Sequence, residues 1–167
     1  MNTNSHQDLP TIIQSLATLF LKNKWRLTTA ESCTGGLVAA TITELAGSSE
    51  WFERGYVTYS NQAKSEDLDV SPHLIEVHGA VSDTVARAMA LGAKQNSSSQ
   101  AALSITGIAG PTGGSAEKPV GTVCFAWILA NDKMYSETKL FQGNRKTIRE
   151  QACEFALKRL LELVINQ

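Results

Sequence analysis

The sequence predicts a single-domain α/β fold, a mixed sheet covered by helices on both faces. Three observations carry this expectation. Segments with helical apolar spacing alternate with short apolar runs through the first hundred residues. Three strand-like runs then follow one another before a last helix, so parallel and antiparallel pairings are both expected. Finally, 167 residues with 43% hydrophobic and 19% charged content suit one domain with a real core.

Each element has a local reason. Leu9, Ile12, Ile13, Leu16, Leu19 and Phe20 recur at helical spacing, giving a first helix over 9–22 behind a polar tail, 1–8. A short strand over 26–29 runs into AESCTGG, and GGLVAATITELAG reads as a helix ending at Gly47. GYVTYS, 55–60, reads as a strand and NQAKSEDL as a short helix, and Pro72 opens a turn. Ser82 or Asp83 caps a helix running to about 95. AALSIT is a buried-strand candidate that empties into the glycine-rich loop 107–121, long enough to be suspected of function. GTVCFAWILA and KMYSETKLF follow as two strands, and Asn144 caps the last helix. The domain is expected to occupy 9–167.

Composition removes several classes of function. A net charge of −1 gives a nucleic-acid role no electrostatic support. No apolar run approaches the roughly 20 residues of a membrane helix, and the polar start lacks a signal core. Cys33, Cys124 and Cys153 are odd in number and lack metal-ligand spacing, which points to a reducing cytoplasm and no metal site. A homo-oligomer, a dimer, is the expected assembly, although the sequence does not set its stoichiometry.

Several stretches could carry chemistry. In AESCTGG a strand, a tight turn and a helix follow one another, a geometry that exposes a side chain beside free amides. Ser32 or Cys33 could attack a carbonyl there, with Gly35 and Gly36 allowing close approach and the helix-start amides as an oxyanion hole. Spacing alone favours a plain helix cap by Ser32 or Thr34 with Cys33 buried. A nucleophile needs a base. His6 lies in the tail, and His73 and His78 flank a turn. Lys64 of YSNQAK follows a strand that ends near Tyr59, and it serves as a base only if burial or a nearby cation lowers its pKa. The loop TGIAGPTGGS lacks the GK[ST] ending of a phosphate loop. Arg145 and Arg149 stand near a helix start, where cations oppose the helix dipole. Either has reason to hold a ligand such as a phosphate, or else to lie on a solvated face beside Glu150.

Taken together, TTAESCTGG, GSSEWFERGYVTYSNQAK, HGAVS, SITGIAGPTGGSAEKPVGTV and GNR resemble, in this order, the CinA carboxy-terminal domain family. Its stand-alone nicotinamide-nucleotide amidohydrolase members are the nearest match, over nearly the whole chain from about Leu9; there is no room for the additional amino-terminal domain of longer members. The resemblance implies a cofactor-free, metal-free amidohydrolase that deamidates nicotinamide mononucleotide in pyridine-nucleotide recycling. Ser32 falls on the family's nucleophile and Lys64 on its general base, with Tyr59 assisting or lining the site. Thr34, Gly35 and Gly36 fall at the substrate-binding turn. Thr106, Gly107 and Gly110 fall where the nicotinamide ribotide binds, and Arg145 near the phosphate. Three rivals stand beside this reading: a non-catalytic nucleotide-binding or regulatory paralogue, a cysteine amidase using Cys33, and a phosphatase or pyrophosphatase built on the glycine loop.

Overall fold

A computed structural model describes residues 8–167. The expected tail falls mostly outside the described residues, as does His6. Asp8, assigned to that tail, instead caps the first helix by accepting from the Thr11 amide at 3.0 Å.

Helix α1 (Leu9–Asn23) leads to β1 (Leu27–Glu31) and α2 (Leu37–Thr43). A 3₁₀ turn, Ser48–Glu50, precedes β2 (Phe52–Val57). Three helices follow, α3 (Asn61–Leu68), α4 (Pro72–His78) and α5 (Asp83–Gln95). Strands β3 (Ala101–Gly107), β4 (Thr122–Ile128) and β5 (Met134–Leu140) then precede α6 (Arg145–Ile165). The five strands form one sheet in the order β2-β1-β3-β4-β5. β1 pairs parallel with β2 and β3, while β3–β4 and β4–β5 are antiparallel. The sheet is therefore mixed, as expected.

Several boundaries differ from the sequence expectation; β1, expected over 26–29, runs over Leu27–Glu31, and three further differences have a clear local cause. The strand expected at 55–60 lies at Phe52–Val57, because Ser60 leaves the ladder to cap α3 through the Ala63 amide. The helix expected to reach Gly47 ends at Thr43, and Gly47, at φ 83°, opens the 3₁₀ turn. Pro72 opens a helix, not only a turn; proline suits the first helical position because its missing N–H has no partner there.

Period-2 alternation sorts the strand residues between two cores. Leu103, Ile105, Phe125 and Trp127 face α1, α2 and α6, and α6 contributes Ala156, Leu157 and Leu160. Ala30, Ala102, Ala126 and Ile128 face the other cover, where α5 packs Val85, Ala86, Met89 and Ala90. Phe125 stacks on Trp127 at 5.7 Å, and the buried Trp127 indole donates to the Ala156 carbonyl at 3.1 Å. Helices thus cover both faces. No helix among the described residues is long and apolar enough to cross a membrane.

The topology has one consequence for function. β2, β1 and β3 are adjacent and parallel, so their C-terminal ends meet at one sheet edge. Open α/β sheets bind ligands at that kind of edge.

Candidate active site

Three chain segments converge there, one from each parallel strand. The turn after β1 delivers Ser32, the turn after β2 delivers Tyr59 and the first turns of α3, and the end of β3 delivers Thr106 and Gly107. A cleft of about 200 Å³ opens among Ser32, Cys33, Tyr59, Lys64, Thr106 and Arg145.

Lys64 is the unusual residue. It lies one turn into α3 and is 1% exposed, although a lysine is almost never fully buried unless partnered. Its Nζ reaches the Thr58 carbonyl at 3.0 Å, the Ser60 carbonyl at 3.4 Å and Ser32 Oγ at 3.1 Å. Desolvation lowers its pKa from the ordinary lysine value, with no carboxylate to hold the charge. Two of its three neighbours can only accept a hydrogen bond, and the third is a hydroxyl that can also donate. A neutral amine, with two N–H donors and one lone pair, satisfies all three.

Cys33, next to Ser32, is buried too, and its pKa moves the other way. It is 6% exposed, and burial pushes its thiol up to about 12, with the nearby Glu31 raising it further. A thiolate is therefore suppressed at neutral pH.

The turn between β1 and α2 is held by two side chains. Glu31, fully buried, accepts from the amides of Gly36 at 3.1 Å, Val38 at 3.0 Å and Ala39 at 2.9 Å. Those are the helix-start amides that the sequence left for an oxyanion; a carboxylate of the chain already occupies them. From α6, Arg149 donates to the Cys33 carbonyl at 3.1 Å and the Thr34 carbonyl at 2.8 Å. Arg145 donates to the Tyr59 hydroxyl at 2.6 Å and the Gly110 carbonyl at 2.8 Å. Both guanidiniums are thus hydrogen-bonded within the chain, Arg145 from an exposed position, and Glu150 sits 3.7 Å from Lys146.

A model of the CinA C-terminal domain matches residues 10–164. The chain belongs to this family. It is 52% identical over 134 residues to the nicotinamide-nucleotide amidohydrolase PncC of Escherichia coli K12, covering 80% of the present chain and 81% of that protein. The corresponding enzyme of Enterobacter agglomerans is 51% identical over 85% of this chain and 87% of its own length. A CinA-like protein of Syntrophobacter fumaroxidans is 53% identical over 80% of the chain, which spans only 31% of that longer relative. Among solved structures, a competence/damage inducible protein of Agrobacterium tumefaciens superposes with a TM-score of 0.91 and 41% identity, covering 96% of this chain and 97% of that one.

In this CinA C-terminal domain, Ser32, Tyr59, Lys64, Thr106, Gly107 and Arg145 line one cleft. Thr34, Gly35, Gly36 and Gly110 do not. Thr34 is buried beneath the turn. Gly35 and Gly36 make the turn itself, at φ 59° and 94°, conformations that favour glycine. Gly110 packs against Val120, and its carbonyl holds Arg145. The Thr106 hydroxyl donates to the Ala80 carbonyl at 2.8 Å, so it ties β3 to the segment before α5. Sequence reasoning missed Glu31 and the role of Arg149. A hint was present for Glu31: it is the one charged residue in the otherwise uncharged stretch LTTAESCTGG.

Proposed function

We propose that the protein is an amidohydrolase that converts nicotinamide mononucleotide to nicotinate mononucleotide and ammonia in pyridine-nucleotide recycling, with Ser32 as nucleophile and Lys64 as general base. Relatives named nicotinamide-nucleotide amidohydrolase, matched over most of their length, support the substrate. One observation carries the mechanism: a buried lysine amine 3.1 Å from a serine hydroxyl, with two carbonyls occupying its N–H groups.

With Lys64 neutral, the 3.1 Å contact runs from the Ser32 O–H to the amine lone pair. Ser32 Oγ attacks the carboxamide carbon and Lys64 takes its proton. The tetrahedral intermediate collapses, the C–N bond breaks, and Lys64 returns the proton to the leaving ammonia. A water molecule then attacks the acyl-enzyme with Lys64 again as base, releasing the carboxylate and restoring Ser32. The pyridinium charge of the substrate disfavours a second cation beside it and helps keep Lys64 neutral. Tyr59 and Arg145 stand together at the cleft mouth, where the nucleotide phosphate would meet the guanidinium. The buried, high-pKa thiol of Cys33 leaves it outside the chemistry.

The same reading places the protein in a reducing cytoplasm, which suits three free, buried cysteines. It also makes it a homodimer; exposed Val57, at the end of edge strand β2, and nearby Tyr59 offer apolar surface for association. Light scattering on a sizing column reads the stoichiometry. The deciding experiment is ammonia release from nicotinamide mononucleotide without added metal. Ser32→Ala should abolish it and Cys33→Ala should retain most of it. An active Ser32→Ala variant beside a dead Cys33→Ala variant would sink the assignment.

A further inference from the structure

The backbone groups between Ser32 and Leu37 can be accounted for one by one. The Ser32 amide continues the ladder to the Ile105 carbonyl at 2.9 Å. Gly35 donates to the Ser32 carbonyl at 3.0 Å and Leu37 to the Thr34 carbonyl at 3.1 Å. Glu31 takes the Gly36 amide, and Arg149 takes the Cys33 and Thr34 carbonyls. Among the described residues, that leaves the amides of Cys33 and Thr34 without a partner in any other residue, the Cys33 N–H lying only against its own thiol. Thr34 has no exposed surface, whereas Cys33 lines the cleft beside Ser32.

We infer that Arg149 and Glu31 are positioning residues for the nucleophile. They clamp the turn from chemically opposite sides, one through its carbonyls and one through its amides. The clamp sets Ser32 Oγ on Lys64 and leaves the Cys33 N–H as the free donor for the oxyanion. This inference rests on Ser32 as nucleophile, the reading proposed above.

The physical reasoning starts from the planar trans peptide, whose C=O and N–H point in opposite directions. The Gly35 bond to the Ser32 carbonyl therefore fixes where the Cys33 N–H points. Arg149 fixes the next peptide plane by the Cys33 carbonyl, so the residue that follows the nucleophile is held on both sides. Two donors from one planar guanidinium set direction as well as distance. Arg149 crosses from α6, 115 and 116 residues away in sequence, at a helix start where a cation is otherwise disfavoured. The buried Glu31 holds the far end of the turn against α2. A glycine-rich turn is otherwise free to rotate its peptides, and a rotated Ser32 or Cys33 amide loses the reaction geometry.

The test uses the intact protein and two measurements. One is the rate at which a small fluorophosphonate labels Ser32, followed by mass spectrometry. The other is steady-state ammonia release from nicotinamide mononucleotide. Arg149→Met should slow labelling and kcat together by about 10–100-fold, below the loss of a whole oxyanion donor, with KM changed by less than about threefold. The ascending limb of the pH profile, which reports deprotonation of Lys64, should not move, because Lys64 is untouched. Arg149→Ala should be partly rescued by millimolar ethylguanidinium and not by ethylammonium. Should Arg149→Met fail to fold, Arg149→Lys and Glu31→Gln give the same readouts in milder form. Labelling and kcat within about twofold of the parent would overturn the inference, as would a loss confined to KM. A parent protein that labels at Ser32 yet releases no ammonia would refute the substrate, while the labelling rates still judge the clamp. A parent that does not label at Ser32 refutes the nucleophile and the clamp with it.

Discussion

The turn after β1 and the loop after β3 both leave parallel strands at the same sheet edge, and both are rich in glycine. They are held in different ways. The β1 turn is five residues long, buried from Ser32 to Thr34, and gripped by Glu31 and Arg149 through five hydrogen bonds. The β3 loop runs to Gly121 and is largely exposed between Pro111 and Glu117. It returns to the body through the Arg145 bond to Gly110 and the Lys118 bond to the His78 carbonyl. Its glycines serve packing: Gly121, at φ 96°, lies against the Phe141 carbonyl, and Gly110 against Val120. Glycine abundance therefore does not mark chemistry. The stretch gripped by Glu31 and Arg149 is the one that presents Ser32, the proposed nucleophile.

This contrast can be broken at its centre first. Lys64→Arg should lose at least about a thousandfold in kcat/KM, nearly as much as Lys64→Ala, because arginine keeps a charge and cannot give up its proton. The parent profile should rise with pH as Lys64 loses its proton, with an apparent pKa below that of a free lysine, in line with its desolvation. Substantial activity in the arginine variant would assign Lys64 a purely electrostatic role.

Gly121→Ala tests the loop as a packing element. A Cβ there meets the Phe141 carbonyl at a backbone angle that disfavours side chains, so a loss of about 2–4 kcal/mol is expected, read from urea unfolding. Fluorophosphonate labelling of Ser32 at the β1 turn should survive at low temperature. A variant with unchanged stability would show that the loop yields easily.

Arg145→Ala removes the link between loop and cleft. Losing a charge-assisted contact costs about 1.5–3 kcal/mol, so KM for the nucleotide should rise about tenfold or more. Nicotinamide riboside, without a phosphate, should be affected far less; equal losses on both would remove the phosphate assignment.

The smallest effect is a pH trend in stability. Lys64 binds its proton less tightly folded than unfolded, so the unfolded chain holds more protons between the folded pKa and about 10.4. Stability contributed by this group therefore rises with pH across that window. The stability of Lys64→Met minus that of the parent should fall as pH climbs from 7 toward 10. A difference independent of pH would mean that Lys64 titrates normally in the native protein.

Much of this architecture was legible because it depends on local pattern. Helix α3 was read to the residue, since Ser60 caps it and Leu68 ends it before Asp69 turns left-handed. The cap of α6 was legible in Asn144. The helix at Pro72 and the end of β2 were not, because each depends on what its backbone meets in the fold. The site divided in the same way. Resemblance could name Ser32, Lys64 and Tyr59, but the partners of the β1 turn lay 115 and 116 residues away on α6, beyond any local pattern.

By itself the sequence determined that a mixed sheet with two helical covers forms, because alternation and helical spacing follow from the period of each backbone. It also determined that Ser32 sits where a strand turns into a helix. Only the tertiary structure decided that the amides at the start of α2 belong to Glu31, that Cys33 is buried, and that Lys64 meets Ser32 without a carboxylate. The reason is physical. Desolvation and hydrogen-bond occupancy are properties of everything packed around a group, and segments distant along the chain supply most of it.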